Sequence, residues 1–263
     1  MKKAFSIAIL SLLFPAVLFS QSARDKAAQE VTKQKEQMMA MGVIPGEVAI
    51  ELGQDAFNNE KGPNGKTCAS CHGKDAEKIA DSYRYMPKYY ADGKKVMDID
   101  LRVKTCMEKN TGVEKVDQKK SSFMNLVVYI ASKSNGKTIK TKASHPDEIK
   151  AYKYGEELWF QRVGKLDLSC AMCHQVYGGK QIRYQGLARV KEDASSAHWP
   201  AYRFSKDANY SMEGRIKGCY DAMQVPKPKS YSKEIIALNL YMKQQARAGF
   251  FGGAKIQVPG FLR

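Results

Sequence analysis

The stretch CASCH at residues 68–72 decides the fold of this 263-residue chain, because a counterpart, CAMCH, occurs at residues 170–174. Each follows the pattern Cys-x-x-Cys-His, in which two thiols bond to the vinyl groups of a haem and the histidine binds its iron. A zinc ribbon would need its two cysteine pairs much closer together, and a thioredoxin-like motif would need flanking βαβ structure. The doubled motif therefore predicts two haem c groups. They would be attached through Cys68, Cys71, Cys170 and Cys173, with His72 and His174 as axial iron ligands.

The sequence around the motifs repeats as well. GQDAF at residues 53–57 precedes the first motif by the same distance as GEELW at residues 155–159 precedes the second. Further along, RVKTC at residues 102–106 matches RIKGC at residues 215–219. An apolar stretch with helical spacing closes each copy, and Phe123 begins the first of them. The pattern predicts a mainly α fold made of two tandem cytochrome c-like haem domains related by internal duplication.

The domain limits follow from these repeats and from the first residues. Residues 1–20 carry two lysines and then an apolar stretch too short to span a bilayer, which predicts a signal peptide cleaved near Ser20 or Ala23. A charged arm at 21–45 precedes the first domain at 46–140 and the second at 141–263, with a polar linker near 134–144. We therefore expect an exported protein in an oxidising compartment, without a membrane anchor.

The charge balance narrows the choice of partners. The chain has 43 Lys and Arg against 27 Asp and Glu, a formal net charge of +16, which attracts anions. A hydrophobic content of 43% and a charged content of 27% exclude a disordered chain and a membrane bundle. Basic charge alone is a non-specific sign of nucleic-acid binding, and because the chain is predicted to be exported we expect no nucleic-acid partner.

The second axial ligand of each iron decides the chemistry. His145 and His198 have no counterpart in the other copy, whereas Cys106 and Cys219 occupy repeated positions, so we expect both to bind iron as thiolates. Two alternatives remain open: a disulfide between these cysteines, or inert thiols with methionine as ligand. The methionine candidates are Met86, Met97, Met212 and Met223. Because Gly218 precedes Cys219 where Thr105 precedes Cys106, we place the reactive sulfur in the second domain.

With both Cys-x-x-Cys-His motifs, the paired Arg-x-x-x-Cys motifs and EGRIKGC at residues 213–219, the sequence resembles the A subunits of the SoxAX cytochromes of thiosulfate-oxidising Sox systems. The resemblance implies a periplasmic L-cysteine S-thiosulfotransferase. Such an enzyme joins thiosulfate oxidatively to a cysteine of the SoxYZ sulfur carrier and passes electrons to cytochrome c. It also implies a small SoxX-like haem subunit as partner.

The resemblance also implies residue roles. Cys219 becomes both axial ligand and catalytic sulfur, and Arg215 holds the anionic substrate. His72 and Cys106 would bind the first iron. Arg247 corresponds to a second active-site arginine of the family, although the residues around it depart from the family pattern. Two other functions stay open: a tetrathionate-forming thiosulfate dehydrogenase and a non-enzymatic dihaem electron carrier.

Overall fold

The computed structural model describes residues 45–182, 185–203, 206–248 and 254–261, together with four residues between 33 and 41. The predicted signal peptide and most of the charged arm lie outside the described residues. The chain divides into two units, residues 1–44 and residues 45–263, and the following description concerns the second. In the described part of the chain, no helix has the length and apolar character needed to cross a membrane.

Helices form most of the regular structure, as predicted. In chain order they are α1 (Pro45–Asn59), α2 (Ala69–His72), α3 (Ile99–Asn110), α4 (Ser121–Ser132), α5 (Pro146–Phe160), α6 (Met212–Ala222) and α7 (Lys233–Arg247). The strands are β1 (Lys88–Tyr90), β2 (Lys95–Met97), β3 (Gln181–Ile182), β4 (Gln185–Gly186), β5 (Ala201–Arg203), β6 (Ala208–Tyr210) and β7 (Gly260–Phe261). Short 3₁₀ turns cover Lys74–Ile79, Ser82–Tyr85 and Ser195–His198.

The two halves of the chain use the same elements in the same order. A helix before the Cys-x-x-Cys-His motif is followed by an antiparallel hairpin and two further helices, first as α1, β1–β2, α3 and α4. The order recurs as α5, β5–β6, α6 and α7, with β7 added parallel to β5. Even the helix caps correspond, since Asp98 accepts a hydrogen bond from the Leu101 amide and Ser211 accepts one from Gly214.

A close helix crossing lies at the centre of each half, where α1 packs on α4 and α5 packs on α7. A Cβ atom on Gly53 would lie 2.7 Å from the carbonyl carbon of Asn125, and one on Gly155 would lie 2.6 Å from that of Ala237. Only glycine permits helices to approach this closely without displacement. The repeated glycines of the sequence are therefore explained by this backbone contact.

Each half has its own hydrophobic cluster, but the cluster of the first half also contains residues from the C-terminal end of the chain. The C-terminal residues Ala254, Ile256 and Val258 are buried in the cluster of the first half, against α4 and Ile139. Backbone hydrogen bonds join them there, from Ile139 to Ala254 and from Gly136 to Ile256, each 2.9 Å long. The segment 134–144, expected to be a polar linker, is consequently packed on the first half, because the C-terminal segment covers it.

A buried polar group links the two halves. Lys243 of α7 is 2% exposed, and its Nζ donates a 2.7 Å hydrogen bond to the hydroxyl of Tyr83. Burial lowers the pKa of Lys243 to about 7, although the neighbouring Asp98 acts in the opposite direction. Burial also raises the pKa of Asp98 to about 6. Asn239 of α7 donates to the Asp98 carboxylate at 3.2 Å, so one polar network joins α3 to α7.

This network makes stability depend on pH in a direction that can be tested. The pKa of Lys243 is about 7 in the folded protein and about 10.4 in an unfolded chain, so the unfolded state binds the extra proton between these values. We expect the wild type to gain free energy of unfolding, relative to Lys243→Met, as the pH rises from 7 to 10. Urea unfolding at several pH values measures this difference. Lys150→Met, on an exposed position of α5, is the control, and equal pH dependence of all three proteins would contradict the assignment.

Candidate active site

Both Cys-x-x-Cys-His motifs form single helical turns. In the first, α2 carries Cys71 and His72, and in the second a π-helical turn, Met172–Val176, carries Cys173 and His174. The Nδ1 of His174 lies 2.7 Å from the carbonyl oxygen of Ala188, which can only accept, so Nδ1 donates and Nε2 is left as a ligand nitrogen. This is the tautomer that an axial haem ligand requires.

An aromatic side chain packs on each of these histidines. The ring of Phe57 lies 6.3 Å from that of His72, and the ring of Trp159 lies 5.6 Å from that of His174. Phe57 and Trp159 also contact Tyr129 and Tyr241 of the crossing helices, at 5.5 Å and 5.6 Å. The histidines are therefore held against the glycine crossing of each half.

A cysteine faces each motif histidine from the helix that follows the hairpin. The Sγ of Cys106, on α3, lies 3.7 Å from the Nε2 of His72. Histidine nitrogen and cysteine sulfur are both donors that bind haem iron in proteins. The donor set of this pair therefore fits a haem iron between the two side chains.

The second pair has the same arrangement and a stronger electrostatic field. Cys219, on α6, contacts His174 within hydrogen-bonding distance. Burial raises the pKa of Cys219, but the close contact with His174 and the positive charges of Arg215 and Arg203 outweigh it, so the pKa is lowered from the usual 9.0. A thiolate is the form that binds iron and attacks sulfur.

Beside this pair lies a cavity of about 660 Å³, open on one side. Its lining combines apolar with cationic side chains, and two of the cations, Arg203 and Arg215, act electrostatically on Cys219. Gly218 is exposed there, and a Cβ atom added to it would meet nothing within 4 Å, so the approach to the adjacent sulfur is open. The lining includes Trp159, Leu187, Ile216, Leu238, Met242, Cys170, Cys173, Arg203, Lys206, Arg215 and Lys217.

The structure brings most of the sequence-predicted residues to these two places, but not Arg247. Arg247 ends α7, is exposed and is not among the lining residues. Arg203 of β5 lies in the cavity instead, and the sequence analysis missed it. The repeat itself carries a signal that could have identified it. Aligning the two copies by the 113-residue offset of their Arg-x-x-x-Cys motifs places Arg203 opposite Tyr90, so this position has a cation in one copy and an aromatic residue in the other.

The other candidate ligands have different surroundings. His145 caps α5 by accepting a hydrogen bond from the Asp147 amide, and its ring stacks on Tyr89 at 3.7 Å. Met86 and Met97 are buried in the first half, at 4% and 0% exposure. Met223 is one of the residues that line the cavity beside Cys219.

Known proteins are similar to this chain over most of its length. The chain is 45% identical over 247 residues to an L-cysteine S-thiosulfotransferase subunit SoxA of Hydrogenobacter thermophilus, over 94% of this chain and 93% of the relative. The chain belongs to the SoxA family. A SoxA of Pseudaminobacter salicylatoxidans is 32% identical over 75% of this chain and 68% of its own length.

A family model and a solved structure also match this chain. The model of the SoxA/TsdA cytochrome c domain matches residues 52–139, which contain the first motif. The crystal structure of SoxXA from P. pantotrophus superposes with a TM-score of 0.72 at 27% identity, over 83% of this chain and 78% of that chain. The cytochrome c-like, mainly α fold is thereby confirmed, and haem c is its cofactor.

Proposed function

We propose that this SoxA-family chain catalyses the oxidative conjugation of thiosulfate to a carrier cysteine, with Cys219 as the reacting sulfur. The overall change is R–SH + S₂O₃²⁻ → R–S–S–SO₃⁻ + H⁺ + 2 e⁻. The single observation that carries the assignment is the cavity that Cys219 shares with the cationic side chains of Arg203, Lys206, Arg215 and Lys217.

The haem groups are part of this proposal. Two haem c would be held by thioether bonds through Cys68, Cys71, Cys170 and Cys173, with His72 and Cys106 on one iron and His174 and Cys219 on the other. When bound, haem supplies a one-electron acceptor at each site. The separation of 3.7 Å between Cys106 Sγ and His72 Nε2 and the apolar cavity beside His174 support two sites rather than one. Residues 46–140 and 141–263 would be their domains.

The chain's own residues account for the sulfur chemistry. Arg215 would hold the sulfonate oxygens of thiosulfate through its guanidinium fork. The Cys219 thiolate would form an S–S bond with the outer sulfur of thiosulfate, giving Cys219–S–S–SO₃⁻ and releasing two electrons, one to each of two oxidised cytochrome c molecules. A carrier thiolate then attacks the sulfur bonded to the sulfonate, forming R–S–S–SO₃⁻ and returning Cys219 as a thiolate.

The partners follow from the same assignment. A small haem subunit of the SoxX kind would bind this chain, since the solved relative is a SoxXA structure. A SoxYZ-like carrier would deliver the thiol, and a cytochrome c would remove the electrons. We place the reaction in the periplasm, reached through the predicted signal peptide at residues 1–20.

Product analysis and electron paramagnetic resonance of the oxidised holoprotein test this function together. We expect low-spin signals of thiolate-ligated haem, and a carrier cysteine heavier by S₂O₃ in mass spectrometry after incubation with thiosulfate and an oxidised cytochrome c. Formation of tetrathionate without any carrier conjugate would instead assign a thiosulfate dehydrogenase. Methionine or imidazole ligation of both irons, with neither product, would leave a plain electron carrier.

A further inference from the structure

The cavity beside Cys219 contains a second arginine whose position differs between the two halves. Arg203 is the last residue of β5 and pairs with Ala208, as Tyr90 is the last residue of β1 and pairs with Lys95. The hairpins correspond in backbone detail, since Lys94 and Asp207 both have a positive φ, 47° and 46°. Arg203 and Tyr90 therefore occupy one structural position, beside the arginine of each Arg-x-x-x-Cys motif.

In the first half this position is closed to anions. Arg102, the counterpart of Arg215, donates through one nitrogen, Nη1, to both carboxylate oxygens of Asp92, at 2.9 Å and 2.6 Å. The central carbon of its guanidinium lies 4.3 Å from the centre of the Tyr90 ring. The charge of Arg102 is thus neutralised by a carboxylate, and an aromatic ring covers it.

In the second half the position of Tyr90 is occupied by a cation. Arginine stands where Tyr90 does, and the sequence has Ser205 at the place of Asp92. The remaining acidic residue of the hairpin, Asp207, accepts a hydrogen bond from the Tyr202 hydroxyl. Among the described residues, no carboxylate lies within ion-pairing distance of Arg203, whereas Lys217 and Lys227 pair with Glu213 and Asp221.

The two arginines of the cavity repel each other. Burial and the charge of Arg215 both lower the pKa of Arg203, and Cys219 is among the groups that oppose this lowering. A multivalent anion bound by both guanidinium groups that line the cavity would offset this repulsion.

We propose that Arg203 is a second substrate-binding residue, which together with Arg215 clamps the sulfonate end of thiosulfate and directs its outer sulfur to Cys219. This proposal rests on the proposed function for the identity of the anion. The clamp would distinguish the two halves: a small tetrahedral oxyanion binds beside Cys219, and the Asp92–Arg102–Tyr90 group excludes it beside Cys106.

The test compares Arg203→Gln, Arg203→Lys and Arg203→Tyr in the oxidised holoprotein with its partner subunit. Calorimetric titration with thiosulfate, without carrier, measures binding separately from turnover. We expect the Kd to rise about 10- to 100-fold for Arg203→Gln and Arg203→Tyr and less for Arg203→Lys, since a charge-assisted hydrogen bond is lost. Arg162→Gln removes the same charge from an exposed ion pair outside the cavity and should leave the Kd unchanged.

The kinetic constants KM and kcat of the variants distinguish a role of Arg203 in substrate binding from a role in folding. Because Arg203 would contact the non-reacting end of the substrate, its loss should raise KM with little change in kcat. An unchanged Kd and KM in Arg203→Gln, with full haem content, would overturn the clamp while leaving the conjugation reaction intact. If instead the wild type binds thiosulfate in an Arg203-dependent way but forms no conjugate, the clamp stands and the proposed function fails. If Arg203→Gln does not fold, the Kd and KM of Arg203→Lys provide the same test.

Discussion

Cys219→Ala is expected to abolish thiosulfate-dependent turnover, with a loss of about 10⁴-fold or more, as for other nucleophile deletions. The variant removes one sulfur atom from α6, at the wall of the cavity, and leaves Cys170, Cys173 and His174 in place. Haem content should therefore stay at the wild-type value, because the thioether bonds do not involve Cys219. Turnover is measured as cytochrome c reduction by thiosulfate in the presence of a carrier thiol.

The matched control deletes the same atom in the other half. Cys106 faces His72 as Cys219 faces His174, but Arg102 beside it is paired with Asp92. Cys106→Ala should change the spectrum of one haem and reduce turnover far less than Cys219→Ala. Full activity in Cys219→Ala, with the loss appearing only in Cys106→Ala, would transfer the reaction to the first half.

Gly155→Ala is expected to destabilise the protein by about 3 kcal/mol, the upper range for overpacking a core. In an ordinary helix the same change stabilises by roughly 1 kcal/mol, because alanine is the better helix former. Here the new methyl group would lie 2.6 Å from the carbonyl carbon of Ala237 and 3.0 Å from the Cβ of Tyr241. Helices α5 and α7 would have to separate, and the packing of Trp159 on His174 would loosen.

Denaturant unfolding of the holoprotein measures this effect, with haem absorbance as a second readout of the second half. Gly53→Ala should cause a similar loss in the first half, since its methyl group would meet the backbone of Asn125 and the side chain of Tyr129. Gly186→Ala, where an added Cβ meets nothing within 4 Å, is the control and should change stability little. A Gly155→Ala protein as stable as the wild type would show that the crossing is looser than described.

Features that depend on neighbouring residues could be predicted directly from the sequence. The Cys-x-x-Cys-His spacing places two thiols and an imidazole on one helical turn, so the candidate haem-binding residues can be identified without coordinates. The periodicity that begins at Phe123 predicts α4. This prediction is confirmed, because helix formation depends on residues close together in the sequence.

Features that depend on distant contacts could not be predicted in this way. Arg247 matched a family position but ends α7 in solvent, while Arg203 reaches the cavity because the β5–β6 hairpin carries it there. The burial of Lys243 and the packing of residues 254–258 on the first half likewise arise from contacts between segments more than 100 residues apart. Local chemistry thus identifies which residues can bind haem, whereas long-range packing selects which charges surround each sulfur. The two cysteines differ in proposed reactivity for that reason.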